Sequence, residues 1–464
     1  MTADHVTKQV LDAVEGSMEQ TIAQLKDLVR IPSVAFNGYD HDQLQRSAEL
    51  TRELMLSTGV FDEVRIERVP IEPGSDAQGQ PAVIARREAA PGMPTVLLYA
   101  HHDVQPWGDE SLWDTPPFEP TVVGDRLYGR GASDDKAGVI AHVAALRVLQ
   151  SVAPDSGLGI ALFIEGEEEF GSRSFANFLA THRDTLASDA IIVADSDNWS
   201  TEVPSLTVAL RGNVTFRITV STLEHASHSG MAGGAVVDGT MALLKTLATL
   251  WTDDGSVAVD GLRDSGRSVP ERSEDEVRAD FGVLPGVSLA GTGPVLERQW
   301  FKPAITVTGM DIASVPNASN TIQPSMSARV SARVAPGQSA QEAFEAIEAH
   351  ILANAPFGAH VQLSELDMGD PFLVDTSGDA VAAMKQAMTD AWGAEPVEAG
   401  IGGSIPFIAT LEQEFPDAEI LVTGVEDPAT MAHSPNESQH LGVLQKAIGA
   451  EALFLTRLAG GNRD

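Results

Sequence analysis

The chain has 464 residues, with 30 Lys+Arg against 66 Asp+Glu and a formal net charge of −36. At roughly 100–200 residues per domain, that length suggests two or three domains around sizeable cores, and 43% hydrophobic with 21% charged residues is a globular rather than a disordered composition. Few cations are left to meet phosphates, which disfavours nucleic acid and anionic membrane as partners. The zero cysteine count excludes disulfides, thiol nucleophiles and thiolate metal sites, so a metal would have to be held by His, Asp and Glu.

The N-terminal MTADHVTKQVLDAVEGSMEQ has no basic stretch leading into an apolar one, and no run of about 18 apolar residues follows anywhere. Cytoplasm is the expected location. Val10, Val14, Met18, Ile22, Leu25 and Val29 recur at helical spacing and predict an opening amphipathic helix. Buried strands are then expected at Thr95–Ala100, Gly159–Glu165, Ala190–Asp195 and Glu419–Gly424, with helices at Lys136–Gln150 and Phe175–His182. Such alternation predicts an α/β domain with helices packed on a largely parallel sheet.

From about Ser205 the pattern changes. SLTVALRGNVTFRITVST is long and β-rich, AVVDGTMALLKTLATL is helix-like, and a polar stretch covers Asp264–Asp280. ITVTGM, the alternating SMSARVSARV and the helical QEAFEAIEAHILAN complete this block. It reads as an α+β domain inserted into the α/β chain: residues 1–207 form the first part of one domain, 208–369 the insert, and 370–464 the second part. Helices at Ala380–Trp392 and His440–Leu458 belong to that last part.

The chemistry concentrates at the strand ends. His101-His102-Asp103 follows TVLLYA, Glu167-Glu168-Glu169 follows GIALFIE, Asp195 and Asp197 follow AIIVA, and His433 follows EILVTG. Asp134-Asp135 closes the turn before the helix at Lys136. Carboxyl ends of parallel strands share one crevice, where α/β proteins bind ligands. Neutral imidazole and ionised carboxylate suit divalent metals, and a carboxylate can bridge two of them. Taken singly, each group has a plainer explanation. A strand-end histidine is more often a core or surface residue, EGEEE is usually a solvated acidic loop, and Asp134-Asp135 could cap a helix. Their joint recurrence favours a metal site.

YAHHDVQP, GRGASDDKAG, EGEEEFGS, DSDN, HSG, GGSIP and AHSPNE, in this order, resemble the signature segments of the carnosinase-type dipeptidases of the M-twenty metallopeptidase family. The resemblance spans nearly the whole chain. It implies a catalytic domain holding two divalent ions, with Zn²⁺ first and Mn²⁺ or Co²⁺ as alternatives, and an inserted lid and dimerisation domain. By the same resemblance Asp134 bridges both ions, His101 and Asp197 complete one site, and Glu169 and His433 complete the other. Asp195 competes with Asp197, but the SDN context favours Asp197. Asp103 orients the His101 imidazole, and Glu168 is the general base for a water held between the ions. Glu167 is read as solvated. His102 is expected to point away from His101 by strand alternation.

From the inserted domain, the resemblance makes His228 a donor to the tetrahedral oxyanion, supplied in dimeric relatives by the neighbouring subunit. It also makes Arg333 the grip on a substrate carboxylate, although a surface arginine on an exposed strand is an equal reading. Asn320 resembles a polar lid residue that contacts substrate. Gly403 and Ser404 present backbone and hydroxyl groups to the carboxylate, or simply form a tight strand-to-helix turn. One departure is Ile401, where carnosinase-type relatives often carry an acidic residue before GGS.

The expected activity is metal-dependent hydrolysis of the amide bond of dipeptides or similar small substrates with a free C-terminal carboxylate. The expected partner is that small peptide, with no nucleic acid, no membrane and a homodimer through the insert. An N-acyl-amino-acid amidohydrolase is the alternative within the same chemistry. A non-catalytic metal-binding protein on the same fold and a dinuclear phosphoesterase are alternatives of other classes. The first has no need of Glu168, and the second lacks the Arg and Lys cluster that phosphate requires.

Overall fold

Thr95–His101 and Gly159–Glu165 are buried along their whole length, as expected of strands covered on both faces. The computed structural model describes residues 3–402 and 406–460. It divides into two compact units, one of Met1–Val208, Val374–Ala399 and Thr410–Asp464, the other of Ala209–Leu373 with Gly400–Ala409.

The main sheet contains, among other strands, β1 (Val64–Glu67), β2 (Ala82–Arg87), β3 (Thr95–His101), β4 (Gly159–Glu165), β5 (Ala190–Val193), β6 (Ser205–Leu210) and β7 (Glu419–Val422). They lie in the order β1-β2-β4-β3-β5-β7-β6. The four central strands β4, β3, β5 and β7 run parallel. The flanking pairings β1–β2, β2–β4 and β7–β6 are antiparallel. The sheet is therefore mixed, with a parallel centre. Its parallel part is the part that matters for chemistry, because all four strands deliver their carboxyl ends to one edge.

A helical layer of Ala3–Val29, Lys136–Val152, Asp379–Trp392 and Leu441–Ala459 packs together in the first unit. Lys136–Val152 is buried nearly all round, so its apolar residues pack in several directions rather than along one stripe. Asp135 caps its start by accepting a hydrogen bond from Gly138 N at 3.1 Å. Among the described residues no helix is long and apolar enough to cross a membrane.

The second unit is built on a four-stranded antiparallel sheet ordered Ala304–Met310, Ser325–Val334, Gly212–Ser221, His360–Gly369. Gly212–Ser221 alternates buried and half-buried positions throughout, the period-two signature of a sheet with one face covered. The β-rich stretch anticipated from Ser205 is thus two strands, parted at Arg211. Helices Gly239–Ala248 and Ala340–Ala353 supply Leu243 and Ile347 to a core shared with Phe216 and Val330. Ser339 and Glu342 form a capping box that starts the second of these helices.

Candidate metal centre

His101 is the last residue of β3, and everything around it is acidic. Asp134 Oδ1 lies 3.1 Å from His101 Nε2, with Glu168 Oε2 and Asp195 Oδ2 each at 3.9 Å. The other oxygen of Asp134 is 3.0 Å from His433 Nε2, and Glu169 Oε2 is 3.2 Å from the same nitrogen. One buried carboxylate therefore stands between two imidazoles, each with a further carboxylate beside it. The Asp134–Asp135 peptide bond is cis.

Supporting contacts hold these groups. Asp103 accepts from Glu168 N and Glu169 N, both at 3.1 Å, one on each carboxylate oxygen. It also faces His101 Nδ1, whose contacts are 3.1 Å to the Asp103 carbonyl and 3.4 Å to its Oδ1. That contact fixes the imidazole so that Nε2 turns to the cluster. Gln105 binds both oxygens of Glu169, through its backbone N at 3.1 Å and its Nε2 at 2.7 Å. Asp135 accepts from His101 N at 3.1 Å as well as capping the helix. It lies close to His101 and Asp195, but both its oxygens are already engaged, so its role is to hold the others.

The electrostatics are those of a site built for cations. Burial pushes the Asp195 carboxyl up to about 6 and the Glu169 carboxyl up to about 7, the latter also opposed by the Asp134 charge. Glu168 is raised well above the usual range by burial and by neighbouring carboxylates. His433, bonded to Asp134 and Glu169, is pushed up to about 10. Without added positive charge these carboxylates must take protons or borrow them from histidine. The buried Nε2 of His101 also finds no hydrogen bond of acceptable geometry, although Asp134 lies close. An imidazole nitrogen set among several carboxylate oxygens that burial and mutual repulsion disfavour as anions is an arrangement a bound cation relieves. Imidazole and carboxylate donors suited to divalent ions gather in two groups, His101, Asp135 and Asp195, and Asp134, Glu169 and His433, with the second oxygen of Asp134 3.1 Å from His101 Nε2.

Asp195, rather than Asp197, is the carboxylate beside His101. Both come shortly after β5, but the chain there is clamped against the segment after β7. Glu426 N bonds Ser196 O at 3.3 Å, and Asn198 N bonds Glu426 O at 3.0 Å. With this local pairing the Asp197 carboxyl bonds Glu426 rather than facing His101. Glu167 also differs from expectation. It is buried, paired with Arg173 at 2.7 Å, and accepts from Ser174 N at 2.9 Å, which shapes the loop that carries Glu168 and Glu169. His102 points away from the cluster and bonds the Pro81 carbonyl at 2.8 Å, with burial lowering its pKa to about 4.

The remaining candidates belong to the second unit. Ser227 and His228 pair with Ile322 and Thr321, and Ser229 N bonds Asn320 O at 2.9 Å, so His228 and Asn320 are neighbours. His228 Nδ1 accepts from Gly230 N at 3.1 Å, which places the neutral ring's proton on the exposed Nε2. Arg333 is half-buried on Ser325–Val334, opposite Asn213 and Ala304. Gly403 and Ser404 lie outside the described residues.

A family model for peptidase family M20/M25/M40 matches residues 97–457. The chain belongs to this family. It is 36% identical over 378 residues, 80% of this chain and 83% of the relative, to a cysteinylglycine-S-conjugate dipeptidase of Corynebacterium striatum. The di-peptidase Dug1p of Saccharomyces cerevisiae has a similar fold, with a TM-score of 0.78 at 22% identity over 99% of this chain and 100% of that one. Human carnosine dipeptidase 1 is alike to the same degree, with a TM-score of 0.78 at 22% identity over 98% and 99%. Within the family frame, Glu437 and Gln105 are supporting residues that sequence reasoning left without a role. Both lie inside the quoted segments YAHHDVQP and AHSPNE, but their roles depend on partners distant in the chain, Glu169 for Gln105 and Arg130 to Asp134 for Glu437.

Proposed function

We propose that the protein is a metal-dependent dipeptidase, hydrolysing the amide bond of small substrates with a free C-terminal carboxylate and using Glu168 as general base. The observation that carries this is Asp134, whose two oxygens stand 3.1 and 3.0 Å from the histidines of two separate ligand groups. His101, Asp134 and Asp195 would hold one ion, and Asp134, Glu169 and His433 the other. Bound there, Zn²⁺, Mn²⁺ or Co²⁺ would supply Lewis acidity to a carbonyl and lower the pKa of water. Glu168 completes neither group and is free to act on protons. It takes one from the attacking water and delivers it to the leaving nitrogen, so that amide and water become carboxylate and amine. Asp103, bonded to the backbone of Glu168 and to the His101 ring, holds base and ligand in one frame.

The second unit would recognise substrate. His228 with its proton on Nε2 suits a donor to the oxyanion, and Arg333 and Asn320 suit the terminal carboxylate. Gly403 and Ser404 are assigned there as well. Dimerisation through this unit and residence in the cytoplasm belong to the same reading. The dipeptidase relative supports a free-amine substrate. Ile401, apolar where an acidic residue would meet an ammonium group, favours N-acyl-amino acids as the second reading.

The test is a dipeptide panel beside a matched N-acetyl-amino-acid panel, with metal-stripped protein and with Zn²⁺ or Mn²⁺ restored. Metal-dependent release from dipeptides, reduced on the order of 10²–10⁴-fold in Glu168→Ala, is expected. Release from the acylated panel alone would transfer the assignment to the amidohydrolase, and no release from either would refute the substrate class.

A further inference from the structure

Glu437 lies four residues beyond His433, and no step above uses it. It is fully enclosed at 0% exposure, and so is Arg130 at 1%. The Glu437 carboxylate accepts four hydrogen bonds: Arg130 Nη1 at 2.6 Å and Gly131 N at 3.1 Å on Oε2, Ser133 N and Asp134 N at 3.1 Å on Oε1. Arg130 Nη2 donates to the Ser434 carbonyl at 3.2 Å, and Gly129 N donates to the Glu437 carbonyl at 3.0 Å. One ion pair thus joins the turn that bears Asp134 to the loop that bears His433. That loop needs an anchor. Met431, His433 and Asn436 all have φ near +60°, a region costly for residues with a side chain. The His433 side chain is 58% exposed, so packing alone does not hold it.

Resting on the metal-centre reading above, we propose that the Glu437–Arg130 pair is the positioning element of that centre: Glu437 sets the backbone from which Asp134 reaches both histidines, and Arg130 sets the loop from which His433 faces Asp134. A buried ion pair adds little net stability over an apolar replacement, whereas this one engages the N–H of Asp134 itself. An amide cannot substitute. Gln has one acceptor oxygen and an NH₂ that would confront one of the two pairs of N–H donors.

The experiment is a Mn²⁺ titration of full-length metal-stripped protein, with free ion followed by electron paramagnetic resonance and the fold checked by Tm. Wild type should take up two ions per chain. Glu437→Gln should bind both at least tenfold more weakly. Arg130→Lys keeps a cation for Glu437 but cannot also reach Ser434, so it should weaken one ion selectively and make the titration biphasic. It also provides the readout if Glu437→Gln does not fold. Glu451→Gln, which disturbs the buried pair with His142 in the helical layer, controls for general destabilisation. Wild-type binding in both Glu437→Gln and Arg130→Lys overturns the proposal, as does equal weakening in Glu451→Gln. If wild type binds neither Mn²⁺ in this titration nor Zn²⁺ by metal content after dialysis, the metal-centre reading itself is overturned, and this inference with it.

Discussion

Asp195 and Asp197 are two residues apart, of identical chemistry, and both follow the same strand. Only Asp195 reaches His101, because the contacts of Ser196 and Asn198 with Glu426 turn the intervening chain. The expected consequence is specific. Asp195→Asn should reduce bound Zn²⁺ toward one ion per chain and abolish most turnover, while Asp197→Asn should keep both ions. Metal content of the purified variants decides it, and loss of an ion from Asp197→Asn would return the ligand role to that residue. The residue types were legible from the sequence, and so were His101, Asp134, Glu168, Glu169 and His433 as a group that the fold collects. The choice between two equivalent carboxylates was not, since it depends on a segment more than 200 residues away.

At the scale of elements, the long apolar strands Thr95–His101, Gly159–Glu165 and Glu419–Val422 and the helices Lys136–Val152 and Asp379–Trp392 were placed to within a few residues, because their apolar periodicity follows from burial. Other elements, such as Val64–Glu67 and Asp42–Leu56, were not anticipated. Loops were less legible. Glu167 in an acidic run reads as solvated until Arg173 and Ser174 are seen to enclose it. The helical layer hides a similar case in His142. Its Nδ1 lies 2.9 Å from Glu451 Oε1 on Leu441–Ala459, and its Nε2 lies 3.0 Å from the Tyr99 carbonyl. Burial by itself would lower the His142 pKa, but the Glu451 carboxylate outweighs it and the net shift is upward. A folded-state pKa above the unfolded value, about 6.5, means that the contribution to stability is fully present below that pH. It is lost as pH rises through the raised folded value. Thermal unfolding between about pH 6 and pH 9 should therefore show a steeper decline of Tm in wild type than in His142→Gln. Parallel curves would show that the imidazole stays neutral in the fold.

For the whole molecule, the charge of −36 is a global property that no single contact cancels. Self-repulsion of this size destabilises a compact state and is relieved by screening. Raising NaCl from about 0.01 to about 0.1 M shortens the Debye length from about 30 to about 10 Å, so Tm should rise. A fall would mean that attractive surface ion pairs dominate instead. The switch from alternating α/β runs to a β-rich block after Ser205 is visible in the sequence, while the grouping of Gly400–Ala409 with the second unit is not. By itself the sequence determined the elements, the class of fold and the donor types available for chemistry, because apolar period and residue chemistry are local and survive without coordinates. Only the tertiary structure decided that four parallel central strands are flanked by antiparallel pairings and that Asp195 faces His101. It alone showed that Glu437 and Arg130 join the turn bearing Asp134 to the loop bearing His433. Those facts depend on which distant backbone N–H and carbonyl groups meet, and burial, rather than spacing along the chain, makes each such meeting obligatory.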